Sequence, residues 1–219
     1  MKEGDFVRIN YVGRVKESGK VFDTTYEDVA KKEGIYDPNY AYRPIPVVVG
    51  GGFVLKGVDE ALLQMNVGEK KKIVIPPEKA FGKRDPSLIK LISLSEFKKQ
   101  NIQPRPGMSI SVNNRSGRII SVSGGRVKVD FNHPLAGKEL EYELEVVEKI
   151  EKPEDKVKAI IEYFSKVPPE NIIASIRKKS VEISFKPRVD MRITAKQVLA
   201  DSIKKWIEGI EKVKFVEEF

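Results

Sequence analysis

The chain has 219 residues, 40% of them hydrophobic and 33% charged, with a formal net charge of +8. That length is enough for more than one compact unit with a real core. With no cysteine and one histidine, His133, the composition excludes disulfides, thiolate nucleophiles and thiolate metal sites, so an enzyme built from it works without a metal, a thiol or a histidine base.

Residues 1–5 run straight into a strand-like segment and no stretch approaches about 18 consecutive apolar residues, so neither a signal peptide nor a membrane span is expected and a cytoplasmic protein is. Residues 6–13 read as a strand, 17–20 as a hairpin turn and 21–25 as a second strand. Residues 26–44 form a long, tyrosine-rich connection of the functional or disordered kind. A short strand follows over 45–49. Gly50-Gly51-Gly52 lacks the Lys-Ser/Thr partner of a phosphate cradle. A short helix is predicted over 58–65, with Gly57 at its start and Asp59 and Glu60 where they suit its dipole. Residues 70–76 read as a loosely alternating strand.

Beyond Ala80-Phe81-Gly82 the pattern changes. Residues 87–102 are rich in apolar side chains, and Ser93 with Glu96 predicts a capped short helix. Three strands are predicted over 108–113, 118–123 and 126–131, with turns at Arg115-Ser116-Gly117 and Gly124-Gly125. This reads as a small β domain. Residues 84–131 hold nine basic against three acidic side chains, a net of +6. Such a patch raises nucleic acid as a partner, but the charges are scattered singly among apolar residues, so specific nucleic-acid binding is not expected. Residues 140–150 read as a strand with Tyr142, Leu144 and Val146 on one face.

Residues 151–155 mark a boundary. Val157, Ile160, Ile161 and Phe164 fall at helical spacing, and Pro168-Pro169 ends that helix. Val181, Ile183 and Phe185 alternate as a strand. Thr194 and Gln197 predict a capping box for a helix with Leu199, Ile203, Trp206 and Ile210 inward, and 212–219 is a last strand. The fold class is α+β: a mostly antiparallel sheet with one short helix, an inserted small β domain over 84–131, and a separate C-terminal α/β domain over 151–219.

Four segments line up with one pattern: Asn10-Tyr11-Val12-Gly13, Val21-Phe22-Asp23, Gly50 followed by Val54-Leu55-Lys56-Gly57-Val58, and Ile75-Pro76-Pro77-Glu78-Lys79-Ala80-Phe81-Gly82. In that order and spacing the chain resembles the FKBP-type prolyl isomerases. Asn132-His133-Pro134-Leu135-Ala136-Gly137-Lys138, then Leu140, Tyr142, Leu144 and Val146, resembles their SlyD-like branch, in which an insert-in-flap domain interrupts the catalytic domain. The resemblance covers 1–150 and implies a half-barrel sheet around a short helix, discontinuous over 1–83 and 132–150.

The resemblance also implies an apolar pocket lined by Tyr11, Phe22, Ile45, Val54, Leu55, Val58, Phe81 and Tyr142, with Val58 as its floor. The Leu55 N–H would hold a substrate carbonyl, and Asp23 would orient Tyr11 or meet the twisting carbonyl carbon. On packing alone Phe22, Val54, Leu55 and Tyr142 read as ordinary core, and Asp23 as a turn or strand-end cap. Phe81 stands where a tyrosine is common, and Val58 and Ile45 replace aromatic residues, so a roomier pocket with weak macrolide binding is expected. In the insert, Leu88, Ile89, Leu91, Ile92, Phe97 and Met108 would bind unfolded chains; the same side chains could instead fill the insert's own core. His133 reads as a hinge or packing residue. Unlike SlyD, the chain has no histidine-rich tail, so no nickel, and no cofactor, is expected. The expected partners are unfolded or proline-containing polypeptides, with a homodimer through the C-terminal domain. The alternatives are a holdase with little isomerase activity, and a nucleic-acid or ribosome-associated factor using the basic insert.

Overall fold

The computed structural model describes residues 1–112 and 115–217. They divide into two compact units, one of Met1–Ile75 with Leu140–Phe219 and one of Pro76–Glu139.

In the first unit, β1 (Phe6–Val15) pairs antiparallel along its whole length with β9 (Leu140–Ile150). β2 (Val21–Thr24) and β3 (Ile45–Val48) share the other edge of β1, at opposite ends of it. β4 (Lys70–Ile75) closes the far side of β9. The result is an open, all-antiparallel five-stranded sheet rather than a closed barrel. Its two faces follow from period-two alternation. Leu140, Tyr142, Leu144 and Val146 are buried on one face of β9. On the other, Glu141, Glu143 and Glu145 meet Lys72, Arg14 and Lys70 at 2.8, 3.6 and 3.3 Å. α1 (Glu27–Lys32) lies within the connection expected to be irregular. α2 (Lys56–Leu62) starts two residues earlier than predicted and buries Val58, Ala61 and Leu62.

The C-terminal elements belong to this same unit, so the boundary at 151 marks a change of sheet and not of compact unit. α4 (Pro153–Ser165) ends three residues before Pro168-Pro169, on Lys166 at φ +61°, and packs against β3. β10 (Ile172–Arg177), which the sequence reading missed, pairs antiparallel with β11 (Ser180–Phe185), and β12 (Lys212–Phe215) adds to β11 in parallel at the edge. Residues 218 and 219 of the expected last strand lie outside the described residues. α5 (Ile193–Trp206) lacks the expected capping box: Arg192 is its N-cap, and Thr194 falls inside the first turn. Val157, Ile160, Ile161, Ile172, Val181, Ile183, Leu199 and Ile203 form the local core.

The second unit carries β5 (Ile89–Ser93), α3 (Leu94–Lys99), β6 (Ser109–Val112), β7 (Arg115–Ser123) and β8 (Arg126–Asp130), ordered β5-β8-β7-β6 and antiparallel throughout. Residue 113 of the predicted first strand lies outside the described residues. Ser93 caps α3, but its hydroxyl accepts from the Ser95 N–H rather than from Glu96 as the box pattern implied. Arg115-Ser116-Gly117 is strand, not turn. Gly117 is needed there for packing, since a Cβ would sit 2.8 Å from both Phe131 and Val129. The core is Phe97, Ile110, Ile119, Val127 and Val129.

Candidate functional site

The site begins where β1 leaves β3 and takes up β2. Gly13 pairs with Asp23 and Val12 with Thr24. Thr24 Oγ1 donates to the Tyr11 carbonyl at 3.0 Å, and the Tyr11 N–H donates to Thr25 Oγ1 at 2.9 Å. These bonds fix the backbone that carries Tyr11. Its hydroxyl then donates to Asp23 Oδ2 at 2.8 Å. Opposite Gly13 on β9 stands Tyr142. The Tyr142 ring lies 5.7 Å from that of Tyr11 and 5.9 Å from that of Phe22, the latter edge to face. Such offset ring pairs are favoured over sandwiches.

Gly13 is what lets these rings meet. A Cβ there would fall 2.9 Å from Phe22 Cζ and 3.1 Å from Tyr142 Cζ. In the sequence, the signal for this part is a glycine inside a strand, which marks a close approach.

Burial first, and the neighbouring Asp23 charge second, raise the pKa of both Tyr11 and Tyr142 above the tyrosine range. Both hydroxyls therefore stay protonated, and Tyr11 remains a donor to Asp23 at any physiological pH. Tyr40 is raised for the same two reasons, which puts it near Asp23 as well. With Phe22, Asp23, Ile35 and Tyr42 it lines a cavity of about 150 Å³. No sequence signal beyond its place in a tyrosine-rich loop pointed to Tyr40.

The loop leading into α2 carries the next candidates. Gly50 and Gly52 both have φ +72°, a region favourable to glycine alone. Their N–H groups donate to Asp59 Oδ1 and Oδ2 at 3.1 and 2.9 Å. Asp59 thus serves this turn more than the helix dipole, and burial raises its pKa. Phe53 is buried, Val54 and Leu55 are half-buried, and Val58 is 2% exposed on α2. Ile45 sits on β3 opposite Ile9.

Phe81 belongs to the other compact unit, where its ring stacks on His133 at 4.3 Å and 8°. His133 Nδ1 accepts from the Leu135 N–H at 3.2 Å, so this histidine packs and shapes a turn. Among the insert candidates, Leu91 and Met108 are 62% and 39% exposed, while Leu88 and Ile89 are half-buried. Phe97 is 5% exposed at the heart of the insert core, and Ile92 packs against that core. The expectation that Phe97 contacts clients is corrected accordingly: its ring is taken up by folding. Leu88, Ile92, Val112 and Phe131 line a mostly apolar hollow of about 320 Å³. Among the described residues no group of three or more His, Asp or Glu side chains is placed to hold a metal ion, and no helix is long and apolar enough to cross a membrane.

Residues 1–105 match the family model for the FKBP-type peptidyl-prolyl cis-trans isomerase, and residues 90–135 match that for the FKBP26 IF domain. The chain is 43% identical over 146 residues to the short-type peptidyl-prolyl cis-trans isomerase of Methanocaldococcus jannaschii, covering 67% of this chain and 92% of that protein. It is 32% identical over 117 residues to a probable FKBP-type 16 kDa peptidyl-prolyl cis-trans isomerase of Pseudomonas fluorescens, covering 51% and 77%. To the isomerase SlyD of Helicobacter pylori it is 29% identical over 130 residues, covering 57% and 69%.

Proposed function

Because the chain belongs to the FKBP-type peptidyl-prolyl cis-trans isomerases and is SlyD-like, we propose that Tyr11, Phe22, Asp23 and Tyr142, with Leu55, Val54, Val58 and Ile45, form its isomerase site, and that the insert works as a client-binding chaperone element. The observation that carries the site is the Tyr11–Asp23 hydrogen bond of 2.8 Å beside the Phe22 and Tyr142 rings. An X–Pro amide turns through a twisted state over a barrier of about 18–20 kcal/mol. Its planar form owes part of its strength to charge-separated resonance, which water stabilises. The twisted form loses that resonance and is less dipolar. A ring-lined hollow therefore favours the twisted form relative to the planar one, which is the condition for catalysis. No nucleophile takes part.

Asp23, held by Tyr11, keeps a carboxylate at the edge of this apolar wall, where it faces the carbonyl carbon as conjugation is lost. The Leu55 N–H holds a substrate carbonyl, and Val58 supports the proline ring. A protease-free isomerisation assay on a short proline peptide tests the site. Asp23→Ala and Tyr142→Ala are each expected to lower kcat/KM by about tenfold or more, and unchanged rates reject it.

The insert's apolar hollow and the exposed Leu91 and Met108 support contact with unfolded chains. Tethering a client raises its effective concentration at the site. Deleting 84–131 is then expected to cost far more activity on a proline-limited refolding protein than on a short peptide, and equal losses contradict this role. Edge strand β12 supports self-association through the C-terminal elements, read by sedimentation.

A further inference from the structure

Residues 151–219 carry their densest aromatic cluster against the segment that leads into α2. The Phe53 ring lies 4.6 Å from Tyr163, 5.7 Å from Phe164 and 6.4 Å from Trp206. Tyr163 Oη also donates a hydrogen bond to the Phe53 carbonyl. Phe53 is followed directly by Val54 and Leu55. The glycines before it leave that turn few side chains of its own to hold it, and Asp59 restrains only its first half, through Gly50 and Gly52.

The helix that supplies Tyr163 is itself anchored. The neighbouring Glu162, 4% exposed, takes a bidentate bond from Arg8 at 2.7 and 3.3 Å and a contact from Arg43 Nε at 3.0 Å. Tyr163 therefore reaches the loop from a fixed platform. Burial, and then the Asp59 charge, raise the pKa of its hydroxyl, so it remains a donor at neutral pH.

We infer that α4 and α5 latch the substrate-binding loop, with Tyr163 and Trp206 acting as positioning residues for the Leu55 N–H; this rests on the isomerase site proposed above. With the Phe53 carbonyl pinned, the 53–54 peptide plane cannot turn without breaking the bond to Tyr163. The amide of Leu55 follows across the φ and ψ of Val54 alone, so fixing this plane narrows the directions in which its N–H can point. A loop held on one side only would present that N–H over a range of directions and bind the substrate carbonyl less well. The C-terminal elements thus join the catalytic machinery through the backbone, without touching the proline.

Tyr163→Phe tests this, because it keeps the ring in the cluster and removes only the donor. Its thermal midpoint is expected to stay within about 3 °C of wild type. KM for a short proline peptide is expected to rise with kcat nearly constant, so that kcat/KM falls about three- to tenfold. The Leu55 amide resonance is expected to shift. Trp206→Leu, which loosens the ring side of the latch, should move KM and the Leu55 amide the same way. Wild-type kcat/KM with an unmoved Leu55 amide in both variants overturns the latch. Asp23→Ala, assayed in parallel, separates the two readings. If it loses activity while both latch variants behave as wild type, the latch falls and the site stands. If all three match wild type, both fall.

Discussion

Gly13→Ala puts the site's geometry under the most direct strain. The backbone at Gly13 is not among the positive-φ glycines, so alanine fits the strand and the effect is steric alone. The new Cβ would lie 2.9 Å from Phe22 Cζ and 3.1 and 3.2 Å from two Tyr142 ring atoms. Carbon atoms rest at about 3.5–4.0 Å, so Phe22 must retreat by about 0.6 Å and Tyr142 by about 0.4 Å. Overpacking of this kind costs about 1–3 kcal/mol. The gain from restricting a glycine in the unfolded chain offsets about 0.4–1 kcal/mol of that. The net loss of stability is then about 0–2.5 kcal/mol. Catalysis is more sensitive, since sub-ångström misplacement already weakens complementarity to the twisted amide, and kcat/KM should fall about tenfold or more. Protease-free isomerisation of a proline peptide, with thermal unfolding in parallel, reads both quantities. A variant with kcat/KM within about twofold of wild type would refute the claim that Gly13 makes room for the Phe22 and Tyr142 rings of the proposed site.

Glu162→Ala leaves Arg8 and Arg43 half-buried without their shared carboxylate. It should destabilise the first unit by about 3 kcal/mol, lowering the thermal midpoint by roughly 6–12 °C in a scanning unfolding experiment. Leu91→Ser removes an exposed apolar side chain that the insert's core does not use, so it should leave short-peptide isomerisation unchanged and slow catalysed refolding of a proline-limited protein about two- to fivefold. For pH, the buried Tyr11 and Tyr142 have folded-state pKa values above the ordinary value of 10.0. Below about pH 10 both states keep these protons and stability is level. Above it the unfolded chain releases protons that the folded chain holds, so stability falls as pH rises. Urea unfolding across pH 9–11 should show that decline, and Tyr11→Phe should lessen its slope by about one proton.

The sheet strands were legible because their alternation is a local property: Tyr142, Leu144 and Val146 against Glu141, Glu143 and Glu145 can be read from eleven residues. The motif order around Tyr11, Asp23 and Leu55 was equally visible, since each lies in a short run of fixed spacing. Capping was less so. Ser93 and Thr194 both precede a Glu or Gln by three residues, yet only Ser93 is an N-cap, because the chain's path into α5 places Arg192 at that point. Gly117 reads as a turn signal in isolation and proves to be a strand residue under Phe131 and Val129.

What composition and pattern determined is a chain without cysteine and with one histidine, and an insert rich in apolar side chains. Tertiary structure alone decided which of those side chains remain available, taking Phe97 into a core and leaving Leu91 outside it. It also joined residues 154 positions apart, Arg8 and Glu162, and set Tyr163 on the carbonyl of Phe53. Hydrophobic periodicity tells which face of an element is buried, but not which distant element buries it. Partners of that kind are chosen by the packing of the whole unit, where burial of a charge is tolerated only once its counter-charges arrive.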